Sequence, residues 1–161
     1  ALARYNTNGS LDGNFGTNGI LTTAIGSTTD EAKSVAIQTD NKIVVAGYST
    51  GSPYQKFAVV RYDTTGSLDN SFGTGGKITT VIGTANAGGN SLAIQSDGKL
   101  VVAGYSYSSN YLDDFTVVRY NTDGTLDNNF GASGKAITNF GNFADAGRSV
   151  AIQSDGKLVV A

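Results

Sequence analysis

The strongest constraint on this chain is that it repeats itself. ALARYNTNGSLDGNFGTNG at residues 1–19 returns as AVVRYDTTGSLDNSFGTGG at 58–76 and as TVVRYNTDGTLDNNFGASG at 116–134. Arg4, Arg61 and Arg119 mark the same place in each copy, 57 and then 58 residues apart. A second block, SVAIQTDNKIVVAGYS at 34–49, recurs as SLAIQSDGKLVVAGYS at 91–106 and SVAIQSDGKLVVA at 149–161. A period of this length belongs to repeat architectures, in which one supersecondary unit cannot bury its apolar face alone and stacks on its neighbours.

Each unit reads as four short strands. Runs of Val, Ile, Thr and aromatics alternate with Gly, Asn and Asp, and no stretch keeps a helical 3.6-residue period over ten residues. In the repeat that is complete, SLAIQ (91–95) is the first strand, KLVVAGYS (99–106) the second, FTVVRY (115–120) the third and GKAITNF (134–140) the fourth. The Asp-Gly of SDGK (96–99) predicts a type I′ hairpin turn, with Asn serving the same purpose in TDNK (39–42). The second strand is apolar throughout and suits burial on both faces. The expected fold is therefore all-β, a β-propeller of four-stranded antiparallel blades, with a sandwich or β-solenoid as the alternative. Solenoid coils are usually shorter and lack Asp-Gly hairpins.

The chain holds just under three such blades. Ala161 aligns with Ala103 and Ala1 with Thr116, so relative to three periods the stretch matching Gly104–Phe115 is missing. Residues 1–33 read as strands three and four of a split blade, 34–90 and 91–148 as full blades, and 149–161 as strands one and two of a split blade, all within one propeller segment. Propellers usually close with four to eight blades. Completion is thus expected either from a second copy, giving a six-bladed homodimer, or from the remainder of a longer propeller. The lack of an initiating Met fits a processed or excised piece.

The succession LDNSFGTGGKITTVIG, SLAIQSDGKLVVAGYS and FAVVRY resembles the bacterial delta-60 repeats, and the resemblance covers essentially the whole chain. Those repeats are similar in pattern to the NHL class of propeller. The resemblance implies a propeller and a secreted or cell-surface location in bacteria. It supplies no catalytic residues to carry over.

Composition narrows the chemistry further. With no His, Cys or Met, the chain can build neither a Ser-His-Asp nor a Cys-His device nor a disulfide framework. Eleven basic against 13 acidic residues, with no basic stripe, disfavour nucleic acid. No apolar run approaches the roughly 18 residues of a membrane helix, so membrane insertion is not expected. No cofactor and no metal site is expected either. NTDGTLD (121–127) has alternating oxygen side chains like a calcium loop, but its copies DTTGSLD and NTNGSLD offer fewer carboxylates, and an Asx turn explains all three. FGTGGKITT (72–80) lacks the spacing and the helix of a phosphate loop.

Two groups of residues stand out. LDxxFG recurs unchanged at 11–16, 68–73 and 126–131, which points to a structural need shared by all copies. In this reading Phe15, Phe72 and Phe130 plug the core between blades, while Asp12, Asp69 and Asp127 cap turns or pair with Arg4, Arg61 and Arg119. The second group lies in the loops that vary, GYSTGSPYQKF (47–57), GYSYSSNYLDDF (104–115) and the connections at 26–33, 83–89 and 141–147, all of which a four-stranded meander places at one end. Tyr54, Tyr107, Tyr111 and Asp113 are the candidate ligand-binding residues there; Tyr48 and Tyr105 read as packing. No residue reads as catalytic. The expected function is a non-enzymatic scaffold of a secreted or surface protein that mediates adhesion, assembly or binding of a glycan or surface protein. Alternatives are a His-independent hydrolase or lyase at the channel mouth, and a purely structural or engineered repeat.

Overall fold

The computed structural model describes residues 1–26, 28–107, 113–141 and 144–161. Strands β1 (Leu2–Ala3) and β2 (Ile20–Leu21) pair as a two-stranded sheet. Next come two four-stranded antiparallel sheets, each in chain order: β3 (Asp30–Ile37), β4 (Ile43–Thr50), β5 (Gln55–Tyr62) and β6 (Lys77–Thr80), then β7 (Ala87–Ile94), β8 (Leu100–Tyr107), β9 (Asp113–Tyr120) and β10 (Lys135–Thr138). A last pair, β11 (Val150–Ile152) and β12 (Leu158–Val160), closes the order. The described residues contain no helix. The fold is an all-β stack of propeller blades.

The sequence dictates this stacking through the second and third strands. In β4, Ile43 and Val45 point to one side and Val44 and Ala46 to the other, and all four are buried. Ile43, Val45, Val60 and Tyr62 meet Phe15, Leu2 and Leu21 of the preceding sheet. Val44, Ala46, Phe57, Val59 and Phe72 meet Leu92, Leu100, Val102, Val118 and Tyr120 of the following one. Every blade therefore buries both faces only between neighbours, each Val or Leu contributing about 1.5–3 kcal/mol on burial. Hydroxyls mark the seams. Tyr62 bonds Thr23 Oγ1 of the preceding sheet at 2.7 Å, and Tyr120 bonds Thr80 Oγ1 at the same distance.

Two local expectations need correction. The innermost strand starts at Asp30 and Ala87, ahead of the Ser34 and Ser91 that open the recurring blocks, so the limits at 33/34 and 90/91 fall inside it. The strand continues across a bulge, between Ala32 and Ser34 and again between Gly89 and Ser91, and a bulge breaks the period-2 pattern from which strands are read. Gly47 and Gly104 exist because of this bulge: a Cβ there would meet the carbonyl oxygens of Glu31 and Gly88, at 1.9 and 2.0 Å. The turn of SDGK also differs. Gly98 N donates to Gln95 O (2.9 Å), Gln95 N donates to Lys99 O (2.9 Å), and Gly98 alone is left-handed, at φ 83°, while Asp97 is not. This is a type I turn closed by a glycine bulge rather than the type I′ turn, which needs two left-handed residues. Asp97 takes the other role open to it, accepting from Lys99 N through its carboxylate.

Candidate functional site

The two ends of the blades are built differently. At the end with the uniform turns, Arg61 donates from Nε to Asp69 (2.8 Å), lies 4.5 Å above the Phe72 ring, and reaches with Nη1 to Thr122 O of the next blade (2.7 Å). Lys42 Nζ stands 3.1 Å from the same carboxylate oxygen, and the other oxygen accepts from Ser71 N and Oγ. The Ser71 hydrogen bonds, with Lys42 and Arg61, hold the Asp69 carboxyl well below the usual range. The pattern repeats. Arg4 pairs with Asp12, covers Phe15 and reaches Thr64 O; Arg119 pairs with Asp127 and covers Phe130, with Lys99 Nζ 3.0 Å from Asp127. Beside the Arg4 and Arg61 clasps a backbone bond crosses the same gap, from Gly16 N to Thr65 O and from Gly73 N to Asp123 O. Phe15 and Phe72 are buried, whereas Phe130 is only half-buried.

The turns that suggested calcium spend their oxygens on themselves. Asp123 Oδ1 accepts from Thr125 N and Oγ1, and Asp63 does the same for Thr65. Among the described residues, no three carboxylates converge.

The other end carries the loops that vary. Tyr54 is exposed there, and Gln55 beside it donates its backbone N to Asn86 Oδ1 at 2.9 Å. Tyr105 donates its hydroxyl to Gln55 Oε1 (3.0 Å), and its ring stands edge-on to Tyr107 at 6.1 Å. Tyr107 N in turn donates to Asn86 O. Asn86 therefore ties the Tyr54 hairpin of one blade to the Tyr107 hairpin of the next. Asp113 pairs with Tyr107 across β8–β9; burial pushes its carboxyl up, Arg148 opposes this and Asp114 adds to it. Tyr111, the fourth candidate, lies outside the described residues. Tyr48 donates its hydroxyl to Glu31 and lies beneath Lys33 Nζ, so it makes polar contacts at this rim as well as packing.

Sequence reasoning missed the residues at the bulge. Lys33, Asn90 and Arg148 occupy one repeat position, directly before Ser34, Ser91 and Ser149, and they differ in every blade. Lys33 pairs with Glu31, and Asn90 Nδ2 donates to Gly147 O across to the next blade. The available signal was a single varying position abutting a constant block.

Residues 1–15, 38–72 and 95–130 match DUF5122, a β-propeller domain of unknown function. The chain belongs to this family. The stretches outside the DUF5122 match, 16–37, 73–94 and 131–161, contain every strand-four-to-strand-one connection, which are among the segments that vary between the blades. No curated protein matches the chain.

Proposed function

We infer that this DUF5122 chain is a non-enzymatic scaffold of a secreted or surface protein, of the kind the delta-60 resemblance implies, and that its variable rim takes a carbohydrate ligand. One observation carries the reading: the two rims are opposites in sequence behaviour. The uniform rim is the same Arg-Asp-Phe clasp made repeatedly, its charges consumed by turns and neighbouring blades. The variable rim exposes Tyr54 next to the amides of Gln55 and Asn86 and sets Tyr107 beside them. Flat aromatic rings flanked by amides suit sugars, since a Tyr has few torsions to freeze and offers both a stacking face and a hydroxyl.

The test is a glycan panel probed with the wild-type chain and with Tyr54→Ala and Tyr107→Ala. Binding by the wild type, weakened about tenfold or more in each variant, supports the reading. Equal binding by all three, or binding to none of the panel, removes it.

A further inference from the structure

We propose that the variable rim, where the two complete sheets meet, reads the acetamido group of an N-acetylated amino sugar; this rests on the carbohydrate reading above and names the part of the sugar that is recognised. The orientation of the Asn86 amide is fixed by chemistry. Its Oδ1 accepts from Gln55 N at 2.9 Å, and a backbone N–H can only donate, so the other end of the amide is the donor Nδ2. Gln55 is committed in the same sense, since its Oε1 takes the Tyr105 hydroxyl at 3.0 Å and Nε2 is left over. Among the described residues neither Asn86 Nδ2 nor Gln55 Nε2 has a partner, and both side chains are half-buried at the rim. The main-chain oxygen of Asn86 is engaged as well, by Tyr107 N.

The junction thus offers two amide donors while its side-chain oxygens are already taken. A sugar hydroxyl is served best by a donor and an acceptor together, whereas a carbonyl oxygen has two lone pairs and accepts from two donors. An acetamido group supplies that oxygen. It also brings an N–H for the lone pairs of the Tyr105 hydroxyl, whose own hydrogen goes to Gln55, and a methyl for the rings of Tyr54 and Tyr107 on either side. A uronate carboxylate is the rival acceptor, and the surroundings disfavour it. Among the described residues no lysine or arginine bonds to Gln55, Asn86, Tyr105 or Tyr107. Burial and the Asp113 charge push the Tyr105 hydroxyl up, and Arg148 only partly offsets them, so the junction suits a neutral group better than an anion.

Calorimetric titration of the 161-residue chain tests this with short oligosaccharides ending in N-acetylglucosamine or N-acetylgalactosamine, set against counterparts ending in glucose, galactose, glucuronate or galacturonate. An N-acetylated member is expected to bind about tenfold or more tighter than its hydroxyl counterpart, because a site built to hydrogen-bond one group rejects the analogue that lacks it. Asn86→Asp keeps the oxygen that accepts from Gln55 N and replaces the donor by an acceptor. It is expected to abolish the acetamido preference while thermal unfolding stays close to that of the wild type, and the added charge has no opposite in a neutral sugar. Gln55→Glu makes the same exchange beside Tyr105 and is expected to act alike. Equal affinity for acetamido and hydroxyl forms, tighter binding of a uronate, or an unchanged preference in both variants overturns the proposal and leaves the carbohydrate reading standing. Binding of no sugar at all removes the carbohydrate reading, and this proposal with it.

Discussion

Asp69 shows how one side chain can serve several neighbours at once. It accepts from Arg61, Lys42 and Ser71, and both it and Arg61 are almost fully enclosed. Removing it leaves the Arg61 guanidinium buried without its acceptor, so Asp69→Ala is expected to cost about 2 kcal/mol in chemical denaturation. Because the carboxyl is held ionised in the folded state, its contribution is complete above the ordinary carboxylate range and is lost as pH falls below about 4. Asp69→Asn is therefore expected to flatten the acid side of the stability–pH curve; a curve parallel to the wild type would contradict this. Gly104 works by absence. Its Cβ would strike the Gly88 carbonyl, so Gly104→Ala is expected to destabilise by about 3 kcal/mol, with Gly51→Ala, at an open position, as the mild comparison in thermal unfolding. The identity of LDxxFG in every copy made the first of these residues visible in the sequence. The second was hidden, because nothing in the order of residues announces that a backbone passes so close.

At the scale of the strand, legibility followed the side-chain pattern. KLVVAGYS and FTVVRY became β8 and β9 almost as read, because continuous Val and Leu leave few alternatives to a strand buried on both faces. The start of β7 was lost in AGGN, where glycines carry no face and the bulge shifts the phase. The hairpin turn was assigned the wrong type for a related reason: Asp-Gly favours either geometry, and Asp97 settles the choice by bonding Lys99 N. Between strands, the Tyr120–Thr80 bond is sealed from solvent on both sides. Tyr120→Phe keeps the ring and strands the Thr80 hydroxyl, an expected loss of about 1–2 kcal/mol; the double variant with Thr80→Val should recover part of it, and equal losses for both would argue that the bond is idle.

For the molecule as a whole, the 57-to-58-residue period was enough to foresee stacked blades, since a sheet apolar on both faces has no stable form alone. The variable rim was only half legible. Variation pointed to the loops of Tyr54 and Tyr107, and the repeat position shared by Lys33, Asn90 and Arg148 was open to the same reading, but that Lys33 and Asn90 sit on a bulge needed the structure. The clasp of Arg61 has a direction: it holds its own blade's aspartate and grips the carbonyl of the blade that follows, never the one before. Damage should accordingly travel backwards along the chain. A lesion in the turn at Thr122 would loosen the grip of the preceding blade, while the same lesion would leave the blade after it holding its own anchor undisturbed.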